Sequence, residues 1–286
     1  MGNEVAVQKK QGIAAFLASD SVKQKIMNVV GEKESQSFIS SVVSAVQTNP
    51  DLAKCTNQSI FSAALLGHSL RLPPSPQLGF FYMVPYKNSE KSKKQGTDVY
   101  EAQFQISYKG LYQLAMRSGN YKKVVATPIK EGELVEYNPI THDITFHAEL
   151  DSTKRASLPS IGYYAEFTLV NGAKQFVYWS KEEMEAHAEK YSAMYRSDLK
   201  WNNSKSFWKK DFDFMATKTI LKQLISKWGM LSVEMTTAIE TDQAVIGENG
   251  EKYYIDNVPD EPTPAIDVET DVDVVEIEAE DVTNAD

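Results

Sequence analysis

Phe104–Lys123 reads FQISYKGLYQLAMRSGNYKK, and the period of its apolar residues changes twice. Tyr100, Ala102, Phe104 and Ile106 alternate with Glu101, Gln103 and Gln105, the period of two that gives a strand one core-facing side. From Tyr108 the period becomes helical. Leu111, Leu114 and Ala115 gather on a core side, while Lys109, Gln113 and Arg117 stack on the other. Gly119 is placed as a C-terminal cap, and KKVVATPIK resumes the strand pattern.

Working outward, LGFFYMVPY and VYEAQFQISY flank KNSEKSKKQGT, which predicts a hairpin with a long basic tip. Upstream, GIAAFLASD forms a short helix, Val22, Ile26 and Val29 recur at helical spacing, and Phe38, Val42, Ala45 and Val46 repeat the pattern. SIFSAALLGHSL is a further helix capped by Thr56. Downstream, KVVATPIKEGELVEYNP and ITFHAEL supply strands, and Asn171-Gly172 joins IGYYAEFTLV to KQFVYW in a tight hairpin. SKEE from Ser180 is a capping box for a helix, and a polar loop from Tyr195 to Ser206 comes after it. FWKKDFDFMATKTILKQLISKWG reads as one long helix closed by Gly229, with Leu221, Leu224, Ile225 and Trp228 on its buried arc.

The predicted fold is α+β: a central antiparallel or mixed sheet built from hairpins and packed by helices. Three regions are expected: a helical N-terminal region at 1–55, the α+β core at 56–233, and an acidic, largely disordered tail at 234–286. The net charge of −9 averages over two unlike parts. Residues 234–286 hold 17 acids against Lys252 alone, which leaves 22 acids and 29 bases, a net of +7, in residues 1–233. The body is basic and the tail acidic. The lone Cys55 fits a reducing compartment, no apolar run is long enough to span a membrane, and MGNEVA lacks the Ser or Thr of a myristoylation signal. A cytoplasmic location is expected.

Chemistry concentrates in two clusters. Lys109, Gln113 and Arg117, with Lys122 and Lys123 just beyond the helix, lie beside Tyr108 and Tyr112. Lys200–Lys227 holds seven lysines against Asp211 and Asp213, interleaved with Trp201, Phe207, Trp208, Phe212, Phe214 and Trp228. Trp208 and Phe212 read more readily as core than as base-stacking rings. Lys218 and Lys222, four apart, repel one another unless an anion sits between them, and a phosphate strand is such an anion. Basic grooves with aromatic platforms suit single-stranded nucleic acid, because phosphates release counterions to Lys and Arg while any base stacks on a ring. Absence of a Gly-Lys pair removes the Walker A loop. His142 and His147 have no metal-ligand spacing, and Glu131 and Glu133 mark a turn more readily than a magnesium site.

GFFYMVPY, FQISYKGLYQLAMRSGNYKKV, EGELVEYNP, GYYAEFTLVNG with VYWSKEEMEAHAEKYS, and WKKDFDFMATKTILKQLISKWGMLSVEM together resemble the RecT family of phage and prophage single-strand annealing proteins, over about Ile60 to Glu234. The tip Lys87–Thr97 is longer than the family pattern. The resemblance implies an ATP-independent protein that coats single-stranded DNA, assembles into homo-oligomeric rings or helical filaments and pairs complementary strands in recombination and repair. It also implies a phage exonuclease as partner, with a host single-strand-binding protein as a further one, and a β-β-β-α-type sheet whose hairpin and Lys109 helix line the DNA groove. Carried to this chain, the binding residues are Tyr108, Lys109, Arg117, Lys122, Lys123, Lys209, Lys210, Lys218 and Lys222, joined by Tyr112 and Gln113 on the same helix.

No catalytic residue, bound metal or cofactor is expected; magnesium enters only as a modulator of DNA binding. Strand pairing then draws on base stacking, about 1.4 kcal/mol per step, so roughly a dozen steps outweigh the cost of ordering the strands. A magnesium-dependent nuclease and a non-catalytic phage assembly protein are the rival readings. In the tail, DVETDVDVVEIEAEDV alternates Val or Ile with acids; it either docks as a strand on a partner, stays solvated, or competes with DNA for the basic groove.

Overall fold

The computed structural model describes residues 11–254, so the extreme N-terminus and the acidic run after Tyr254, expected to be disordered, lie outside the described residues. Helices α1 (Ile13–Leu17), α2 (Asp20–Val30), α3 (Glu32–Thr48) and α4 (Asn57–Ser69) open it, with a 3-10 turn at Pro50–Lys54. In α3 the four predicted positions Phe38, Val42, Ala45 and Val46 are buried. In α2 the buried row is Val22, Ile26 and Val30, steps of four, and Val29 is 54% exposed. Thr56 caps α4 through the Ser59 amide at 3.3 Å.

The central hairpin forms as expected. β1 (Phe81–Lys87) pairs antiparallel with β2 (Tyr100–Ile106), Phe81 opposite Ile106 and Lys87 opposite Tyr100. Its tip is not a loop: Asn88 caps a helix, α5 (Ser89–Gln95), that ends at Gly96 with φ of +67°. Both faces of β2 are covered. Glu101, only 3% exposed, accepts hydrogen bonds from Asn88 at 2.7 Å and Lys91 at 2.7 Å, so the side read as polar is a buried, satisfied network.

Ser107 then caps α6 (Tyr108–Arg117), accepting from the Gly110 amide at 3.1 Å and donating to the Gly79 carbonyl at 2.6 Å. Gly110 is fixed by contact rather than by dihedral angle, since a Cβ there would stand 2.1 Å from the Phe80 carbonyl oxygen. α6 leads into β3 (Tyr121–Lys130), and β4 (Leu134–Asn138) and β5 (Asp143–Phe146) form a separate hairpin. After α7 (Ser152–Ser157), β6 (Ser160–Leu169) and β7 (Lys174–Ser180) make the Asn171-Gly172 hairpin in a sheet of order β3-β6-β7. Gly172 has φ of +89°.

Ser180 and Glu183 complete the capping box of α8 (Lys181–Tyr191). Of the segment read as a polar loop, Tyr195–Trp201 belongs to a helix, α9 (Ala193–Trp201), while Asn202–Ser206 is non-helical as expected; Asp198 of α9, 1% exposed, accepts from the Lys205 and Ser206 amides. Buried acids serving main-chain amides give helices a polar sequence. The long helix is broken at Asp211, where α10 (Phe207–Lys210) stops and α11 (Phe212–Trp228) restarts with Asp211 capping the Phe214 amide at 3.1 Å. Leu221, Leu224 and Ile225 are fully buried under the β3-β6-β7 sheet, but Trp228 is 46% exposed.

The expected tail boundary at 234 falls inside folded chain. α12 (Val233–Glu240) buries Met235, Ala238 and Ile239, and β8 (Ala244–Ile246) and β9 (Lys252–Tyr254) extend the first sheet to the order β1-β2-β8-β9. Between α12 and β8, the buried carboxylate of Asp242 receives Lys218 Nζ at 3.1 Å and Lys222 Nζ at 2.9 Å, while its Oδ1 also accepts the Ile106 amide at 3.1 Å. The anion between the two lysines is therefore a residue of the chain and not a phosphate. Burial alone would raise the Asp242 pKa; the two lysines outweigh it and hold the carboxyl below the usual aspartate range.

Removing one partner of a buried charge cluster strands the others, at a cost of about 3–5 kcal/mol. Asp242→Asn is expected to lose stability in that range, measured by urea unfolding at neutral pH. Because Asp242 has a folded pKa below its unfolded one, its contribution is present above the ordinary aspartate range and disappears as pH falls through the folded value. The acid limb of the stability–pH curve should accordingly be flatter in the Asn variant. Gly110→Ala, which forces Cβ against main chain that cannot yield, should cost about 1–3 kcal/mol in the same assay.

Candidate nucleic-acid interface

α6 presents its two sides as its sequence requires. Gly110, Leu111, Leu114 and Ala115 are buried, whereas Lys109, Tyr112, Gln113 and Arg117 are exposed. Tyr108 is half-buried: its hydroxyl meets the Ala126 main chain on β3, and burial pushes its pKa up. Its ring lies 6.3 Å from that of Tyr112 at 22°, a stacked pair whose outer member is 38% exposed. A base placed against Tyr112 would thus extend an existing stack.

The start of β3 continues this surface. A register shift between Tyr121 and Lys123 lets the strand present both Lys122 and Lys123 to solvent, where strict alternation would point one of them inward. Lys122 makes no ion pair with an acid among the described residues, while Lys123 Nζ lies 3.1 Å from Glu166. Glu166 also accepts the Tyr164 hydroxyl at 2.9 Å; burial would raise its carboxyl, and Tyr164 with Lys123 reverses this and holds it low. Beyond Glu166 the same sheet face carries rings that the sequence reading did not single out. Tyr164 and Phe176 are 5.6 Å apart, Phe146 of β5 stands 4.9 Å from Tyr164, and Tyr137 of β4 stands 5.0 Å from Tyr178. The alternation of Tyr164 with Glu166 and of Phe176 with Tyr178 was the available signal.

The remaining predicted cations divide. Arg117 is a structural clasp, donating to the Leu70 carbonyl at 2.6 Å and the Arg71 carbonyl at 3.1 Å, and so fastening the end of α6 to the end of α4. Lys218, 5% exposed, and Lys222 belong to the Asp242 cluster and offer no open phosphate site. Lys209 and Lys210 are exposed on α10, with Lys210 Nζ 5.6 Å above the Phe207 ring, and Trp208 is core as expected.

These two lysines lie far from Lys122. The Tyr121 hydroxyl donates to the Met230 carbonyl, just past the C-terminus of α11, whereas Lys130 at the other end of β3 pairs with Asp213 in the first turn of α11. Lys122 and Lys209 therefore sit toward opposite ends of a 17-residue helix about 25 Å long. Lys109, Tyr112 and Gln113 lie on the exposed side of α6 and Lys122 is exposed at the start of the next strand, whereas Lys209 and Lys210 lie toward the other end of α11.

Of the acidic pair Glu131 and Glu133, the second is buried and already neutralised. Its carboxylate takes Arg155 Nε at 2.5 Å and the Lys130 and Glu149 amides. Burial would raise its pKa, and these donors hold it low. Among the described residues no group of three or more His, Cys, Asp or Glu side chains is arranged to hold a metal ion, and no helix is long and apolar enough to cross a membrane.

An uncharacterized protein of Bacillus subtilis strain 168, YqaK, is 38% identical over 258 residues, covering 88% of this chain and 81% of its own length. Protein RecT of Escherichia coli strain K12 is 25% identical over 240 residues, covering 83% of this chain and 82% of its own. The RecT family model matches residues 36–256, from α3 through β9 and including the whole α6–β3 surface, and on that match the chain belongs to the RecT family.

Proposed function

We propose that this protein binds single-stranded DNA along the exposed side of α6 and the start of β3, and anneals complementary strands during recombination without ATP. Lys109 and Lys122 take phosphates, Gln113 adds a polar contact, and Tyr112 offers a ring to a base. Lys123 joins them where DNA phosphate exchanges with Glu166. Lys209 and Lys210 extend the contact at the far end of α11. Protomers assemble side by side, so that many such surfaces hold one strand extended while base pairing with the second strand supplies the free energy. The observation that carries this reading is the family match, whose range, residues 36–256, includes α6 and β3. A nucleoid-accessible, cytoplasmic location, an exonuclease that generates the strands and a host single-strand-binding protein belong to the same reading.

The chemistry proposed is non-covalent. Glu166, a half-buried acid on this sheet, is engaged as the partner of Lys123. Incubating end-labelled single strands with the pure protein and magnesium should leave their length unchanged; progressive shortening would favour the nuclease reading instead.

Salt dependence separates phosphate contacts from structural cations. For a single strand the slope of log affinity against log salt is about 0.7 per phosphate neutralised. Lys109→Ala and Lys122→Ala should each lower the slope by about that amount and leave the unfolding midpoint in place. Arg117→Ala should behave in the opposite way, lowering the unfolding midpoint through loss of its carbonyl contacts at Leu70 and Arg71. Oligonucleotide titrations by fluorescence anisotropy across a salt series, with melting curves in parallel, read both effects.

A further inference from the structure

β9 fixes both the place and the direction in which the chain leaves the described fold. Tyr254 is paired with Ala244 of β8, which is paired with Phe104 of β2, so the three residues lie level across the sheet. Both pairings are antiparallel, and β9 therefore runs parallel to β2, toward the end of the sheet where α6 begins. Three contacts to two residues pin the exit: Lys252 pairs with Glu240 at 2.8 Å, the Tyr253 hydroxyl donates to Glu101 at 2.7 Å, and the Tyr254 hydroxyl donates to the Glu240 carbonyl. Two strand spacings separate Tyr254 from Phe104, about 10 Å, and Lys109 lies five residues beyond Phe104, so the exit is within roughly 20 Å of Lys109.

The chain beyond that exit, residues 255–286, is 32 residues long and carries twelve Asp and Glu with no Lys, Arg or His. A coil of that length would have a root-mean-square span of about 30 Å, which exceeds the distance from the exit to Lys109. Reach and direction match Lys109, and charge matches both Lys109 and Lys122, cations for which no ion-pair partner stands among the described residues. We propose that residues 255–286 occupy this surface of their own molecule when DNA is absent, and that a DNA strand must displace them. The inference rests on the DNA-binding reading of the surface and adds a second, intramolecular ligand to it. Tethering places the segment at an effective concentration on the order of 1 mM, so even a weak polyanion, with a free-peptide Kd of about 0.1 mM, lowers DNA affinity about tenfold. Such competition raises the threshold for binding short or isolated strands, and long single strands, which engage many protomers at once, overcome it.

Two measurements on the full-length chain test the proposal. In the first, an equal mixture of nitrogen-14 and nitrogen-15 protein is treated with a carbodiimide that joins lysine amines to carboxylates in contact. Cross-links from Lys109 or Lys122 to acids of 255–286 are expected within one isotopic copy and should fade when an oligonucleotide is added. Their absence, or their occurrence only between copies, overturns the intramolecular contact. In the second, the twelve acids are changed to Asn or Gln in the intact chain and oligonucleotide affinity is measured at low and high salt. The neutralised chain should bind about tenfold tighter at low salt, the difference shrinking as salt rises. Equal affinities overturn the tail's role and leave the DNA-binding reading standing, whereas no binding by either chain overturns that reading and this inference with it.

Discussion

The carboxylate of Asp242 is where the two halves of this fold are joined. A single buried side chain receives two lysines from α11 and an amide from the end of β2, and it does so at the junction between α12 and β8. The last amide of β2 would otherwise face the interior without a partner, just before the residue that caps α6. Two ammonium groups one helical turn apart would otherwise repel each other inside a region too dry to screen them. Each group makes the others tolerable, and the arrangement needs the chain beyond residue 240 to be present. The four-stranded sheet, the helix beneath the three-stranded sheet and the start of α6 therefore hold one another in register through a polar contact rather than through apolar burial alone.

That contact also explains where the sequence could and could not be read. The strand–helix–strand order around Phe104–Lys123, the Asn171-Gly172 hairpin and the Ser180 capping box are local signals, and each has its expected geometry. Lys218 and Lys222 were legible as a repelling pair in need of an anion. Which anion was not legible, because Asp242 lies twenty and more residues away in a segment whose composition resembles a solvated acidic tail. Arg117 failed for the same reason: the helical wheel placed it outward, correctly, but could not show that the end of α4 returns to that point and leaves two carbonyls there. Asp198 made a helix look like a loop, since its charge is answered by main-chain amides that a sequence does not display.

Within the basic body, the structure sorts cations by whether their charge is already answered. Lys218, Lys222, Lys130 and Lys91 each face a carboxylate at about hydrogen-bond distance and serve the fold. Even in the lysine-rich tip of the first hairpin, Lys87 is paired with Asp98 at 2.6 Å. A count of lysines thus overstates the charge left unpaired for a polyanion, above all in α11, where Lys218 and Lys222 are both engaged by Asp242. The outer side of α6 is poorer in lysine, but its cations lie beside an exposed ring and are succeeded at once by a strand whose bulge turns two further lysines outward.

This distribution bears on how strand pairing would work. A protein that anneals must grip one strand firmly enough to straighten it, yet leave the edges of its bases free for a second strand, and it must release the product. Phosphate contacts from separate lysines satisfy the first need without touching base edges, and they are individually weak enough to slide and exchange. A stack on one tyrosine per surface would hold a base by its face, which would also leave its pairing edge open. Strong bidentate recognition by arginine would defeat the purpose by fixing register, and the one arginine on this helix, though exposed, has its guanidinium engaged by the carbonyls of Leu70 and Arg71. Discrimination is then left to the two strands, where each correct step adds about 1.4 kcal/mol and a mismatch forfeits its share.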